Sequence, residues 1–299
     1  MPDQIPENLS AHRGNSWGIR FFQALLALGG VRVASAFIPV VTFFYALFDR
    51  TAFQRCEPYL RLRFPNAGSF GLKRHFHRLI TEQGRMILLG HAIASGKKIP
   101  VTEPDGGKTR QELAVLGKPV LALFSHFGCW QASMEWFDLF PGSAFNVLAQ
   151  PDVNALLPKN IACTGKNLNL ISTANLGGGL MEAMAALQRG EFLAMMGDRT
   201  AGGESISQPV LGGEMAFPLS PWLLASRTGA TVVPVFALPT PDLSRIELCF
   251  GRPVPMEAPA NGRVPRAQLE QSMRSYVQDY EQMCNSHPYL MFRFDGQTR

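Results

Sequence analysis

The stretch that most constrains how this chain can fold is Pro119-Val120-Leu121-Ala122-Leu123-Phe124. It is too short for a comfortable globular helix and apolar enough for a buried strand. Ser125-His126-Phe127-Gly128 follows, and then residues 129–137, which read as a helix with its aromatic residues on a packed side. A strand-to-helix turn lies at the rim of a sheet, beside a helix N-terminus that can hold anions. Ligands of open α/β sheets gather at that rim. His126 is therefore the first candidate for chemistry.

The same alternation continues downstream. Strands are expected at 144–149, 168–171, 192–196, 231–238 and 245–250, and helices at 179–189, 220–228 and 268–284. Pro218 and Pro221 open the second of these helices, as first-turn prolines do. Pro234 inside the fourth strand predicts an edge or a bulge. Leu269, Met273, Tyr276, Val277, Tyr280 and Met283 fall on one face of the last helix, and an earlier helix is expected at 70–96. Strands and helices in alternation indicate an α/β sandwich around a mixed sheet. The one candidate boundary lies near residue 50, separating a 1–50 tail and anchoring segment from a 51–299 α/β domain.

That first segment is unusually apolar. From Trp17 to Phe48 the only charges are Arg20 and Arg32, and Pro39 interrupts the uncharged second half. A spanning helix needs about 20 apolar residues, so three arrangements are open: a weak transmembrane helix, an interfacial hairpin with Arg32 snorkelling to headgroups, or a hairpin buried in a soluble core. A cleavable signal peptide is disfavoured by the late apolar start. Arg50, Arg55, Arg61 and Arg63 follow, which argues for a cytoplasmic C-terminal domain. The whole chain is 46% hydrophobic and 17% charged, with formal net charge +5. That balance suits anionic headgroups, phosphates or an acidic carrier protein. No basic run or RNP-like pattern points to nucleic acid.

Several chemistries lack their residues. The five cysteines are scattered without CxxC spacing, so neither a zinc site nor a disulfide framework is indicated. There is no GxSxG elbow and no Walker A sequence, and Gly177-Gly178-Gly179 reads as a helix entry. What remains is His126 together with Gly197-Asp198-Arg199, both at expected strand ends. If those strands are neighbours, a base and an anion-binding Asp/Arg pair face one crevice. A histidine can take the proton of a substrate hydroxyl when its second ring nitrogen is held, and an arginine offers a planar fork for phosphate.

From Phe124 to about Phe294 the chain resembles the lysophospholipid-acyltransferase superfamily, in the branch of the lipid A late (lauroyl and myristoyl) acyltransferases. The resemblance is carried by residues 125–131, by Met196-Gly197-Asp198-Arg199-Thr200-Ala201-Gly202-Gly203, by Pro209-Val210-Leu211-Gly212 with Ala216-Phe217-Pro218-Leu219, and by residues 228–236. His287-Pro288-Tyr289 with Phe292 and Phe294 echoes the aromatic C-terminus.

The resemblance implies a glycerol-3-phosphate-acyltransferase-like αβα sandwich with an N-terminal apolar membrane segment at the cytoplasmic face of a bacterial inner membrane. It implies an acyl carrier protein or coenzyme A thioester as donor, a lipid or glycolipid as acceptor, and no cofactor or metal. His126 would be the general base, with Gly128, Trp130, Asp198 and Arg199 as substrate-binding or rim residues. Trp130, Trp136 and Phe137 are candidates for lining the acyl groove.

The branch carries a His-x4-Asp/Glu motif, and its acid position is Gln131 here. A glutamine carbonyl can accept the ring N–H and fix the tautomer, but brings no negative charge. Gln131 is therefore the expected orienter, and Glu135, one turn on, a possible substitute. The missing charge leaves two other readings open: a catalytically weakened lipid-binding protein, and a thioesterase or lipid hydrolase.

Overall fold

The computed structural model describes residues 16–132, 143–150, 168–200, 203–259 and 264–292. Its centre is a sheet of β1 (Val101–Thr102), β2 (Val120–Gly128), β3 (Phe145–Ala149), β4 (Leu168–Ser172), β5 (Phe192–Met196), β8 (Thr231–Pro239), β9 (Ile246–Phe250) and β10 (Val254–Pro255). The order is β1-β9-β8-β2-β5-β3-β4, with β10 also on β8. All neighbours are parallel except β8–β9 and β8–β10. Strands buried on both faces need near-continuous apolar sequence, and β2 supplies it: only His126 along its length is not fully buried.

The expected strand ended at Phe124, whereas β2 continues to Gly128. The extension has its own partners. Gly128 N donates to Leu290 O (2.8 Å) and Phe292 N to His126 O (2.8 Å), so the C-terminal segment takes over as neighbour once β5 has ended. Pro234 is not at an edge, since β8 lies between β2 and β9. Its carbonyl accepts from Gly251 N (2.9 Å), so its missing N–H falls on the side where β9 gives way to β10 and no ladder bond is required. A hairpin of β6 (Ser205–Val210) and β7 (Gly213–Pro218), absent from the expected strands, stands off the main sheet. Its turn is Leu211-Gly212, both at positive φ (56° and 80°).

The helices are α1 (Ser16–Phe48), α2 (Arg50–Arg63), α3 (Ser69–Ala94), α4 (Lys108–Leu116), α5 (Leu180–Gln188), α6 (Ser220–Thr228) and α7 (Arg266–Ser286). Of these, α1 bears most on the arrangements left open by sequence. Its backbone breaks at Gly30 (φ 70°, ψ −171°). Phe21 and Phe37, which a straight helix would hold about 24 Å apart, meet at 5.9 Å between ring centroids. The segment is thus a helical hairpin. Ala34, Ile38 and Thr42 are its buried residues facing α3, where Thr42 Oγ1 and Thr81 Oγ1 lie 2.7 Å apart and Gly84 leaves room for Ile38.

The opposite side is bare: Val40, Phe43, Phe44, Leu47 and Phe48 are exposed, and only 17% of the most apolar window is buried. Arg32 is paired with Asp242 rather than standing alone.

Candidate active site

The site begins with strand register. β2 and β5 run parallel from Val120↔Phe192 to Phe124↔Met196. Carried two residues past the last pair, the same offset sets His126 beside Asp198. Residues two apart on a strand share a face, so both side chains stay together at the carboxyl rim, where open sheets keep their ligands.

The contact is bidentate. Asp198 Oδ2 accepts from the backbone N–H of His126 (2.7 Å), and Oδ1 lies 2.8 Å from Nδ1 of the same residue. Asp198 is completely buried, while the His126 side chain keeps 23% of its surface exposed. Burial by itself pushes the Asp198 carboxyl up. The His126 charge and hydrogen bonds, followed by Arg199, outweigh it and hold the group below the usual carboxylate value of 3.8. An ionised carboxylate only accepts, so Nδ1 carries a proton, and in the neutral imidazole the lone pair is left on Nε2. Among the described residues nothing bonds to Nε2.

Gly128 turns the chain away from the site. Its φ is +63°, and a Cβ there would sit 2.1 Å from Ala237 O. The tight approach lets Cys129 N donate to that same carbonyl (2.9 Å). Trp130 is half-buried in the short 3₁₀ stretch 130–132 that follows. Ser125, next to the histidine, is buried without a hydrogen-bond partner among the described residues and lies on the other face of the strand.

Arg199 is exposed, and its guanidinium donates to Phe292 O (3.2 Å). Phe292 N in turn donates to His126 O, so Arg199 and the C-terminal segment brace the strand end. The segment is itself fastened to the N-terminal helices. Tyr59 donates to Pro288 O (2.7 Å), and His75 Nδ1 lies 2.8 Å from the Tyr289 hydroxyl.

The expected orienter is elsewhere. Gln131 Oε1 accepts from the Cys129 thiol (3.7 Å), and its amide packs against α3, where a Cβ on Gly90 would be 3.0 Å from Gln131 Cδ. Asp198, expected at an acceptor-binding rim, has both oxygens turned to His126 and no exposed surface. The sequence alone puts His126 and Asp198 at one crevice without pairing them; their equal offsets from paired strand starts are the signal for it. Glu135, Trp136 and Phe137 lie outside the described residues. Gly177, Gly178 and Gly179 all take positive φ at the entry to α5.

A buried carboxylate holding the imidazole of a rim histidine is an arrangement for moving a proton to and from a bound hydroxyl or leaving group. No curated protein gives a match to the chain. A model of the family described as bacterial lipid A biosynthesis acyltransferase matches residues 109–293, which takes in β2, β5, Asp198 and the C-terminal brace. The chain therefore belongs to the bacterial lipid A biosynthesis acyltransferase family.

Proposed function

We propose that the protein transfers a fatty acyl chain from an acyl thioester to a hydroxyl or amine of a glycolipid or lysolipid, with His126 as general base and Asp198 as the group that positions it. The observation that supports this reading is the pair of hydrogen bonds that Asp198 accepts from His126, which turns Nε2 of the neutral ring to the rim as the unprotonated nitrogen. Nε2 takes the proton as the acceptor oxygen or nitrogen attacks the thioester carbonyl. The buried Asp198 charge stabilises the imidazolium that forms. The tetrahedral intermediate collapses, the C–S bond breaks, and the departing thiolate takes the proton from His126. Acyl thioester and acceptor become acylated acceptor and free thiol.

The negative charge that Gln131 lacks is supplied by Asp198, which favours an active transferase over a weakened lipid-binding protein. Acyl carrier protein or coenzyme A would bring the donor thioester. The surrounding sheet supports a glycerol-3-phosphate-acyltransferase-like sandwich. The bare face of the α1 hairpin supports seating in the interface at the cytoplasmic face of the inner membrane, since the chain folds back at Gly30 instead of running on as one helix.

The test is acyl transfer by purified full-length protein, supplied with acyl-carrier-protein or coenzyme A thioesters and lysolipid or glycolipid acceptors. Products are identified by lipid mass spectrometry. Acceptor-dependent product that disappears in His126→Ala supports the reading. Fatty acid released at the same rate without acceptor would show a hydrolase instead.

A further inference from the structure

The sheet alone does not hold His126. The last pair of β2 with β5 is Phe124↔Met196, and the register of β2 with β8 breaks between Phe124 and Gly128. His126 lies in that irregular stretch. Its backbone N–H goes to Asp198, and its carbonyl accepts from Phe292 N, so the 290–292 segment supplies one of the contacts that fix it. The segment runs antiparallel to the strand end, with Phe127 opposite Met291 and Gly128 N on Leu290 O.

The segment must be held in turn. Helix α7 gives way at His287, and Pro288 has no N–H with which to continue it. The Pro288 carbonyl accepts from the Tyr59 hydroxyl of α2 at 2.7 Å. Tyr59 is only 1% exposed. Burial above all pushes its hydroxyl well above the ordinary value, which keeps it a donor.

A buried tyrosine hydroxyl finds a partner as a rule, so one such bond is ordinary. The place of this one is not. Four residues beyond its acceptor stands the N–H that holds the His126 carbonyl. Other side chains also tie the segment down: Arg63 donates to Asn285 O, His75 Nδ1 lies 2.8 Å from the Tyr289 hydroxyl, and Arg199 donates to Phe292 O. These are half-buried or exposed, whereas Tyr59 reaches the segment from inside the core.

We propose that Tyr59 is a positioning residue of the transfer reaction: through Pro288 O it fixes the 288–292 segment, and through Phe292 N it fixes where His126 presents Nε2 to the substrate. The proposal rests on His126 as the base. A general base works only within hydrogen-bond reach of the proton it takes, and a shift of about 1 Å caused from far away costs on the order of 100-fold in rate. Tyr59 touches no reacting atom, so its effect belongs to kcat and not to substrate binding.

The test is Tyr59→Phe in the full-length protein, which keeps the ring and removes the hydroxyl. Acyl-transfer kinetics are read beside native-state amide hydrogen exchange by NMR. kcat should fall by about 10-fold or more, with KM within about twofold of wild type. The amides of Gly128 and Phe292 should exchange at least about 10-fold faster, while those of Leu121 and Leu123 inside the ladder exchange as before.

A wild-type kcat would overturn the proposal, and so would a slower enzyme whose Gly128 and Phe292 amides keep their protection. Equal loosening of all four amides would mark a loss of overall stability and overturn it too. Should Tyr59→Phe not fold, Tyr289→Phe frees the same segment from His75 without touching the core. Its kcat should then fall at unchanged KM, and wild-type turnover in it would overturn the proposal. His126→Ala keeps the two readings apart. Transfer retained in that variant would remove the base; transfer lost there but intact in Tyr59→Phe would remove only the positioning role.

Discussion

His126 has two side chains near enough in sequence or space to hold its ring, and they are placed by different levels of structure. Gln131 is close along the chain, but the positive φ of Gly128 turns the intervening backbone toward Ala237 and sends the glutamine to α3. Asp198 is 72 residues away, and parallel register brings it onto the imidazole with both oxygens engaged. A motif read along one chain nominates partners by spacing. In a parallel sheet the partner of a rim residue is as easily the rim residue of the neighbouring strand.

The largest way to break this comparison is to remove the base. His126→Ala should lower the transfer rate by about 10⁴-fold or more. The companion variant His126→Asn offers Asp198 a donor in place of Nδ1 and should be equally inactive while remaining folded by circular dichroism. Turnover near the wild-type rate in either variant would remove His126 from the mechanism.

Asp198→Asn is the more discriminating change. The amide oxygen must accept the backbone N–H of His126, which turns the amide nitrogen toward Nδ1. The ring proton then moves to Nε2 and the base is lost. A fall of about 10³–10⁴-fold in kcat, with KM little changed, is expected from steady-state kinetics.

The same variant has a stability signature. The Asp198 carboxyl is held below 3.8 in the folded protein, so its contribution is complete above that value and is lost as pH falls through the folded value. The gap in urea midpoint between wild type and Asp198→Asn should narrow as pH falls through the folded carboxyl value.

Gly128→Ala should cost about 2–4 kcal/mol in denaturant unfolding, because φ +63° disfavours a side chain and the new Cβ meets Ala237 O. Little loss would mean that the strand end can relax, and the separation of Gln131 from His126 would no longer rest on that turn. The smallest effect is expected at Gln131. Gln131→Ala should reduce kcat less than about 10-fold, since it removes no contact to the ring. Gln131→Glu should leave the acid limb of the pH–rate profile where it is. A raised limb would show that residue 131 does act on His126.

The parts of this molecule legible from sequence are those governed by local periodicity. The runs at 145–149, 168–172, 192–196 and 231–239 form strands, and those at 69–94, 180–188, 220–228 and 266–286 form helices, close to where apolar spacing placed them. The family was legible too, from motif blocks in order. What was not legible depends on contacts between distant segments. The extension of β2 to Gly128 requires the C-terminal residues 290–292 as a new neighbour. The interior place of Pro234 requires the gap at Gly251. The fold-back of α1 turns on one backbone angle at Gly30, which composition cannot distinguish from a continuous helix. The pairing of His126 with Asp198 was half visible: both residues were expected at strand ends, but which strands were neighbours was not.

The central claim is that Asp198 keeps the ring proton of His126 on Nδ1 and leaves Nε2 free to act as base. Nitrogen-15 NMR of imidazole-labelled protein above the titration of His126 reads the tautomer directly. Wild type should show a protonated Nδ1 and a pyridine-like, unprotonated Nε2, with the two exchanged in Asp198→Asn and unchanged in Gln131→Ala. A wild-type ring protonated at Nε2, or one whose tautomer follows Gln131 rather than Asp198, would contradict the account.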